Sequence, residues 1–361
     1  MINFQEIAYR PQDPKSLVSG DWRPGIGLIG CGGITQYHLQ AYKAANYEVV
    51  ALCDVDRKAA EARRKEFFPK AAVFTDHREL LAKKNVEVVD ITTHPEVRGP
   101  LIDDALTQGV HVLSQKPFVL DLDEGERLAG LAESNGVKLA VNQNARWAPH
   151  FSYLREAVKA GEIGDVMSVH CGAHWNHHWV EGTPFEKIYH LMLYDFAIHW
   201  FDFLSTIMGD VEPTSVFAST AKSPSQKIKP ALLAQVAVEY PQAQATLVFD
   251  GHTEYGQLDH TYIAGSKGTL RSHGVDVNHQ TVELSKADGT FSPKLEGKWF
   301  PDGFHGTMGE LLCAIEQKRE PTNSGRNNLR SLSLCFAAIE SAEKGQPVVP
   351  GSTRKLPEPP W

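Results

Sequence analysis

The sequence predicts two domains in series. Residues 23–144 read as an α/β domain with a doubly wound parallel sheet, and residues 145–361 as an α+β domain with a large open, mostly antiparallel sheet. Three observations carry this. A glycine-rich turn follows the first apolar strand. Strands and helices then alternate as far as residue 144. Beyond residue 145, strand follows strand with few helices between. The 361 residues suffice for two domains with cores of their own.

Residues 1–22 read as a polar leader. The start, "MINFQEIAYRPQDPKS", has no basic segment followed by an apolar one, so it is not a secretion signal. Ile26–Ile29 form the first strand. The chain turns at Gly30, Gly32 and Gly33, continues as a helix, and returns as the strand "YEVVALCD", ending at Asp54. Strand, glycine turn, helix, strand and a spaced acid make the dinucleotide-binding fingerprint of a Rossmann domain. Gly30 permits the tight turn, and Gly32 lets the backbone approach a pyrophosphate at the helix N-terminus. The third fingerprint position holds Thr35 in place of Gly or Ala. Asp54 would accept hydrogen bonds from the adenosine ribose and repel a 2′-phosphate, so NAD is expected over NADP. Arg57 is near enough to stack on the adenine or to tolerate that phosphate.

"AAVFTD" and "VEVVDITT" follow as strands, with the short helix "HRELLAKKN" between them. "PLIDDALTQG" is a helix that stops at Gly109. "GVHVLSQKP" and "VKLAVNQN" are the last strands of this domain, separated by the helix "DLDEGERLAGLAESNG". In the second half, "PHFSYLREAVKAGEIG" is an amphipathic helix. "DVMSVHCGAHWN", "TSVFASTA", "ALLAQVAVEY", "AQATLVFDGH", "DHTYIAGSKGTLRSHG" and "QTVELSKA" are strands, with a hairpin near "SKGTLRSHG". "NLRSLSLCFAAIESAEKG" is a closing amphipathic helix, and "PGSTRKLPEPPW" a proline-rich tail.

A formal charge of −8 and no run of like charge argue against nucleic acid or an anionic membrane as partner. No apolar stretch is long enough to span a bilayer. Five cysteines without metal or redox spacing fit reduced thiols in a cytoplasmic protein.

Lys116 ends "HVLSQKP" at a strand end that faces the cofactor crevice. A lysine there can bind a substrate hydroxyl or shuttle its proton. The segment "FEKIYHLMLYDFAIHWFDFLSTIMG" reads as one apolar helix carrying Asp195, His199 and Asp202. Offsets of four and seven put all three on one face. On a functional reading, His199 is an acid/base whose tautomer Asp195 sets; on a structural one, the two are a satisfied core pair. Asn142, Asn144, Arg146 and Trp147 leave the last parallel strand and could hydrogen-bond to or stack on a sugar, or could simply pack the hinge. His174 and His178 lie in a His- and Trp-rich stretch suited to a carbohydrate pocket. His305 sits near a turn that could lean over the site. No carboxylate is spaced with the histidines as zinc-enzyme motifs require, so no catalytic metal is expected.

Together, "GLIGCGGIT", "CDVD", "HVLSQKP", "DFAIHWFD" and the closing helix resemble the Gfo/Idh/MocA (glucose-fructose oxidoreductase, inositol dehydrogenase, rhizopine catabolism) oxidoreductase family from about residue 24 onward. The resemblance implies a Rossmann domain, a second α/β domain whose open sheet forms oligomer contacts (a homodimer or homotetramer), and a nicotinamide that oxidises or reduces a sugar or cyclitol carbon. It implies Lys116, Asp195 and His199 as the catalytic trio. The cofactor would be held by Gly30, Gly32, Gly33, Ile34, Asp54, Arg57, Thr93, Gln115, Lys116 and Asn144. The substrate would meet Lys116, Asp195 and His199, with Asn142, Arg146, Trp147, His174, His178 and His305 as further pocket candidates. Four departures mark a subgroup: Gln115 replaces the glutamate before Lys-Pro, Ala197 a glycine, "YHLMLY" the glycine-rich approach to that motif, and Arg98 a histidine.

The expected activity is NAD-dependent oxidation of a sugar, with an aldose taken from C1 to its lactone and a pentose such as apiose among the candidates. Oxidation of an inositol or glycoside ring hydroxyl is the alternative, and NAD-dependent glycoside cleavage a third enzyme reading. From another class comes a sugar-sensing regulator that binds NAD without turnover.

Overall fold

The computed structural model describes residues 6–359. By contact the chain divides into two units. One holds residues 10–147 and 300–329. The other holds the described residues before Arg10, residues 148–299, and those from 330 on.

The first unit is built on six parallel strands: β1 (Gly25–Ile29), β2 (Glu48–Cys53), β3 (Ala72–Phe74), β4 (Val88–Ile91), β5 (His111–Ser114) and β6 (Leu139–Val141). Their order is β3-β2-β1-β4-β5-β6. The order reverses between β1 and β4, and in such sheets ligands bind beyond the carboxyl ends of the strands at that point. The helices are α1 (Lys15–Ser19), α2 (Thr35–Ala44), α3 (Arg57–Phe67), α4 (His77–Leu81), α5 (Pro95–Thr107) and α6 (Leu122–Ser134). Aspartates cap three of them: Asp56, Asp76 and Asp121 accept the backbone N–H groups of Lys58, Arg78 and Asp123. β1 and β4 are buried at every position, as parallel strands covered on both faces require.

Two segments expected elsewhere join this unit. Residues 10–22 are strapped to α9 (Trp299–Glu316): Arg10 pairs with Asp302 at 3.2 Å, and the Ser16 backbone N–H donates to Glu316 at 2.7 Å. Residues 1–5 of the expected polar leader lie outside the described residues. From Phe300 on, α9 belongs here as well, because Phe304, Met308, Leu311 and Leu312 complete the core around Leu28, Leu39 and Tyr42. Phe300 itself is non-helical (φ −103°, ψ 122°), and the two units divide at that kink.

The second unit holds an eight-stranded sheet. Its strands are β7 (Val166–His174), β8 (Ser215–Ala221), β9 (Leu233–Glu239), β10 (Gln244–Asp250), β11 (Leu258–Gly265), β12 (Gly268–Asp276), β13 (His279–Lys286) and β14 (Gly289–Phe291). The order is β14-β13-β12-β11-β7-β10-β9-β8, antiparallel except where β10 runs parallel to β7. Along β7, Val169, Cys171 and Ala173 are buried, whereas His170 and His174 are partly open. The covering helices include α7 (Pro149–Lys159), α8 (Ile198–Met208) and the later part of α10 (Gly325–Lys344). Phe151 stacks on Phe203 at 4.4 Å between α7 and α8, and the Ser341 hydroxyl accepts the Ala218 N–H. All five cysteines are buried and unbridged. Among the described residues no helix is long and apolar enough to cross a membrane.

The long helix expected around Asp195 is broken. Pro184–Lys187 form a 3-10 turn, Met192–Phe196 a π-helical turn, and α8 begins only at Ile198. The Ala197 N–H donates five residues back, to Met192 at 2.8 Å. A π turn carries more residues per turn than an α-helix. Asp195 lies in the π turn, and His199 and Asp202 in the α-helix that follows it. The turn at the expected hairpin is Ser266–Lys267, joining β11 to β12. The last two residues of the proline-rich tail, Pro360 and Trp361, lie outside the described residues.

Candidate active site

The carboxyl ends of the parallel strands gather the nucleotide-side residues. Gly30 follows β1 with φ +94°, and its N–H donates to Cys53 at 2.8 Å. A side chain there would bring Cβ within 2.9 Å of Thr92 Oγ1 and 3.2 Å of the Thr93 N–H, so only glycine fits. At Gly32 and Gly33, by contrast, an added Cβ would meet nothing within 4 Å. The turn is thus closed toward the sheet and open on its outer side, the shape a pyrophosphate needs. Ile34 leads directly into α2. Thr35 is fully buried, and its hydroxyl donates to the Gly32 carbonyl at 2.6 Å.

Asp54 follows β2. One carboxylate oxygen accepts the Cys31 N–H at 2.6 Å and the other the Asp56 N–H at 2.8 Å, tying the acid to the glycine turn. Arg57 opens α3, lies largely in solvent, and sits 3.8 Å from Glu61. Arg63, not singled out in the sequence, donates from α3 to the Gly32 carbonyl at 3.1 Å. Its place in the basic run "RRKEF" gives no hint of this. Burial pushes the Cys31 thiol up to about 12, with Asp54 adding to the effect, so it is no thiolate.

Lys116 follows β5 and is half-buried. Behind it lies a buried polar chain. Gln115 accepts the Lys116 backbone N–H at 2.8 Å, and its amide nitrogen is 3.0 Å from His38 Nε2. His38 Nδ1 lies 2.7 Å from Asp90, which also accepts the Tyr42 hydroxyl at 2.6 Å. His38, Tyr42 and Asp90 are fully buried. The geometry assigns His38 a donating Nδ1–H and an accepting Nε2. Arg98, buried in α5, donates to the Thr93 carbonyl at 3.1 Å and to the Gln115 carbonyl at 2.5 Å, strapping the loop after β4 to the loop after β5. Thr93 keeps a buried hydroxyl without a partner.

The substrate candidates of this unit make contacts within it. Asn142 is fully buried; it lies 3.2 Å from His38 Nε2 and accepts the Thr307 hydroxyl at 2.8 Å. Asn144 lies against Gly303, where a Cβ would fall 2.6 Å from the Asn144 carbonyl. Arg146 donates to the Thr322 carbonyl at 2.6 Å and to Asn327 at 2.8 Å. Trp147 covers Gly306. His305 pairs with Asp13 at 2.8 Å and lies edge-on to Tyr47. Burial works to raise the Asp13 carboxyl, but hydrogen bonds from His305 and Tyr47 outweigh it and hold it below the usual range.

In the other unit, Asp195 is half-buried in the π turn. His199 lies in the first turn of α8, 9% exposed, with its ring edge-on to Trp299 at 5.3 Å. Asp202 is fully buried and accepts the Ser331 hydroxyl of α10 at 2.9 Å, a helix-packing contact. His174 pairs with Asp250 at 2.6 Å and stacks on His260 on the open sheet face. His178 packs its ring against His252 at 4.2 Å. Among the described residues no three His, Cys, Asp or Glu side chains are grouped to hold a metal ion.

A parallel sheet with this order, a glycine turn open to a pyrophosphate and an acid tied to that turn define a dinucleotide-binding domain. Residues 25–143 match the model described as "Oxidoreductase family, NAD-binding Rossmann fold", and residues 151–271 match the "GFO/IDH/MocA C-terminal domain". The chain belongs to the Gfo/Idh/MocA oxidoreductase family. It is 27% identical over 339 residues to D-apiose dehydrogenase of Paraburkholderia graminis, covering 89% of this chain and 88% of that one. It is 26% identical to inositol 2-dehydrogenase of Rhizobium meliloti, covering 89% and 98%. A putative myo-inositol dehydrogenase from Sinorhizobium meliloti superposes with a TM-score of 0.77 at 25% identity, covering 91% and 100%. An oxidoreductase from Agrobacterium radiobacter, in complex with NAD+, L-tartaric acid and magnesium, has the same fold, with a TM-score of 0.80 at 22% identity and 92% and 99% coverage.

Proposed function

We propose that this protein is an NAD-dependent dehydrogenase of a sugar or cyclitol, with oxidation of an aldose at C1 to its lactone as the favoured reaction. One observation carries the reading: Lys116 follows β5 on the sheet edge that also bears the glycine turn, Asp54 and Thr93. That edge is where α/β sheets bind ligands. Bound NAD would supply the hydride acceptor. Gly30, Gly32 and Gly33 would seat its pyrophosphate. Asp54 would take the ribose hydroxyls and disfavour a 2′-phosphate, so NAD is preferred to NADP. Lys116 and His199 would hold the reacting hydroxyl and remove its proton. Asp195 would set the tautomer of His199.

Gln115 bears on the lysine. Its carboxamide is spent on the Lys116 N–H, His38 and Asn142, so the position brings no charge to the site. The relatives named for D-apiose and inositol support a polyhydroxylated substrate. The test compares Lys116→Ala and His199→Asn with the parent. Turnover is expected to fall by orders of magnitude while NADH affinity stays within about threefold. Unchanged turnover in Lys116→Ala removes the lysine from the mechanism.

A further inference from the structure

A cavity of about 590 Å³ opens at the N-terminal ends of β1, β2 and β3. Its lining comes from the residues just before β1, the starts of β2 and β3, the end of α3 and the turn after α4, all within one unit. The nucleotide-side residues stand at the other, carboxyl end of the same strands. An open α/β sheet binds its cofactor and substrate at that carboxyl end, so neither of them uses this one.

Two kinds of side chain meet in it. The floor is apolar: Tyr47, Val49 and Phe67 belong to the core of the unit, and the Tyr47 hydroxyl is spent on Asp13. The remainder is mainly cationic. Arg23, Lys70 and Lys83 line the same space, against a single carboxylate, Glu48. Elsewhere in this unit clustered cations are neutralised. Arg57, Arg63 and Arg64 each stand beside a glutamate of α3, and Arg78 beside Asp104. Among the described residues Arg23, Lys70 and Lys83 have no such partner. The chain as a whole carries −8, so three unneutralised cations around one cavity reverse its charge locally. Solvation explains each cation alone. It does not explain three of them around a floor of core residues, in a space of the size that small-molecule sites occupy.

Charge and floor together select the ligand. The Arg23 guanidinium can meet a carboxylate or phosphate as a fork, and the two ammonium groups meet it as point charges. An apolar body would displace water from Val49, Phe67 and the Tyr47 ring. We propose that this cavity is a second binding site of the nucleotide-binding unit, for a small organic dianion whose charge sits on an apolar body. Because it lies at the opposite end of the strands from the cofactor crevice, its ligand is neither the substrate nor the nicotinamide, and the site stands or falls independently of the dehydrogenase reading.

The test titrates the full chain with 1-naphthyl phosphate, 1-naphthol and inorganic phosphate by calorimetry, with and without saturating NADH. The naphthyl phosphate is expected to bind with a Kd of about 0.1 mM or below in both states. 1-Naphthol lacks the charge and inorganic phosphate the apolar body, so each should bind at least about tenfold more weakly. Lys70 is exposed and Lys83 half-buried, so both can be changed without opening the core. The double variant Lys70→Glu, Lys83→Glu should weaken naphthyl phosphate at least about tenfold while NADH affinity and the melting temperature stay near those of the parent. The double variant Lys70→Arg, Lys83→Arg should keep the parent affinity. Binding that NADH abolishes puts the probe in the cofactor crevice and overturns the proposal. So does an affinity that the charge reversal leaves unchanged. Inorganic phosphate bound as tightly as its naphthyl ester would mean an adventitious ion only, and no probe bound at about 1 mM would mean no site; either result also overturns it.

Discussion

The chain from Lys116 to Asp90 can be tested by cutting its far end. Asp90 is fully buried and accepts from Tyr42 at 2.6 Å and His38 at 2.7 Å. Replacing it with alanine strands two buried donors. Each unpaired donor costs roughly 1–3 kcal/mol, so Asp90→Ala should destabilise its unit by about 4 kcal/mol. Tyr42→Phe removes one hydrogen bond to a carboxylate and should cost about 2 kcal/mol. In the Asp90→Ala background the same change should cost almost nothing, because the hydroxyl no longer has its partner. The coupling in this double-mutant cycle should therefore be about 2 kcal/mol. Urea unfolding monitored by amide circular dichroism measures it. NADH titration at low urea then asks whether loss of His38's anchor weakens the cofactor side. Additive single effects, with coupling below about 0.5 kcal/mol, would show that Asp90 and Tyr42 act independently and that the carboxylate is not the shared anchor of His38 and Tyr42.

Three further outcomes follow from the same geometry. Gly30→Ala forces a side chain into a φ of +94° and against Thr92, so NADH affinity should fall at least about tenfold in a fluorescence titration; parent-like affinity would mean the turn is not the pyrophosphate seat. Asp54→Ala should weaken NAD and raise relative efficiency with NADP, and a parent enzyme that already uses NADP equally well would contradict the role given to Asp54. Asp259 is fully buried, and burial, with Asp276 adding to it, pushes its carboxyl up to about 7 from 3.8. Between those values the folded state holds a proton that the unfolded state has released, so stability falls as pH rises through the window. At about 1.4 kcal/mol per unit this approaches roughly 4 kcal/mol. Asp259→Asn should flatten the loss between pH 5 and 8 in urea unfolding, and parallel slopes for the two proteins would refute it.

Much of the parallel sheet was legible because its signals are local. "GLIGCGGIT" and "CDVD" hold strand, turn, helix and acid within thirty residues, and buried parallel strands read as unbroken apolar runs. The open sheet was legible through its period-two alternation. What was not legible depends on partners distant in sequence. "WFPDGFHGTM" gives no sign that Phe304 and Met308 fill the core of the nucleotide-binding unit, because their partners lie more than 250 residues earlier. The run around Asp195 is apolar at nearly every position, so it carries no period that separates an α-helix from a π turn. The hydrogen bonds of Asn142 and Arg146 to Thr307, Thr322 and Asn327 were not legible, because those partners come from another stretch of chain. Arg98 stood out as a departure from the family pattern. Its use became visible only with the carbonyls of Thr93 and Gln115 around it. Of the three residues proposed for catalysis, Lys116 belongs to one unit and Asp195 and His199 to the other.

The central claim is hydride transfer from a sugar carbon to NAD. The most direct measurement is NADH formation by the purified protein across aldoses, inositols and glycosides, with NAD and NADP in parallel. The account predicts a strong signal with NAD for at least one sugar or cyclitol, and a weaker one with NADP. Protein that binds NADH yet forms none with any member of the panel would contradict it, and would favour a regulator that binds the dinucleotide without turning it over.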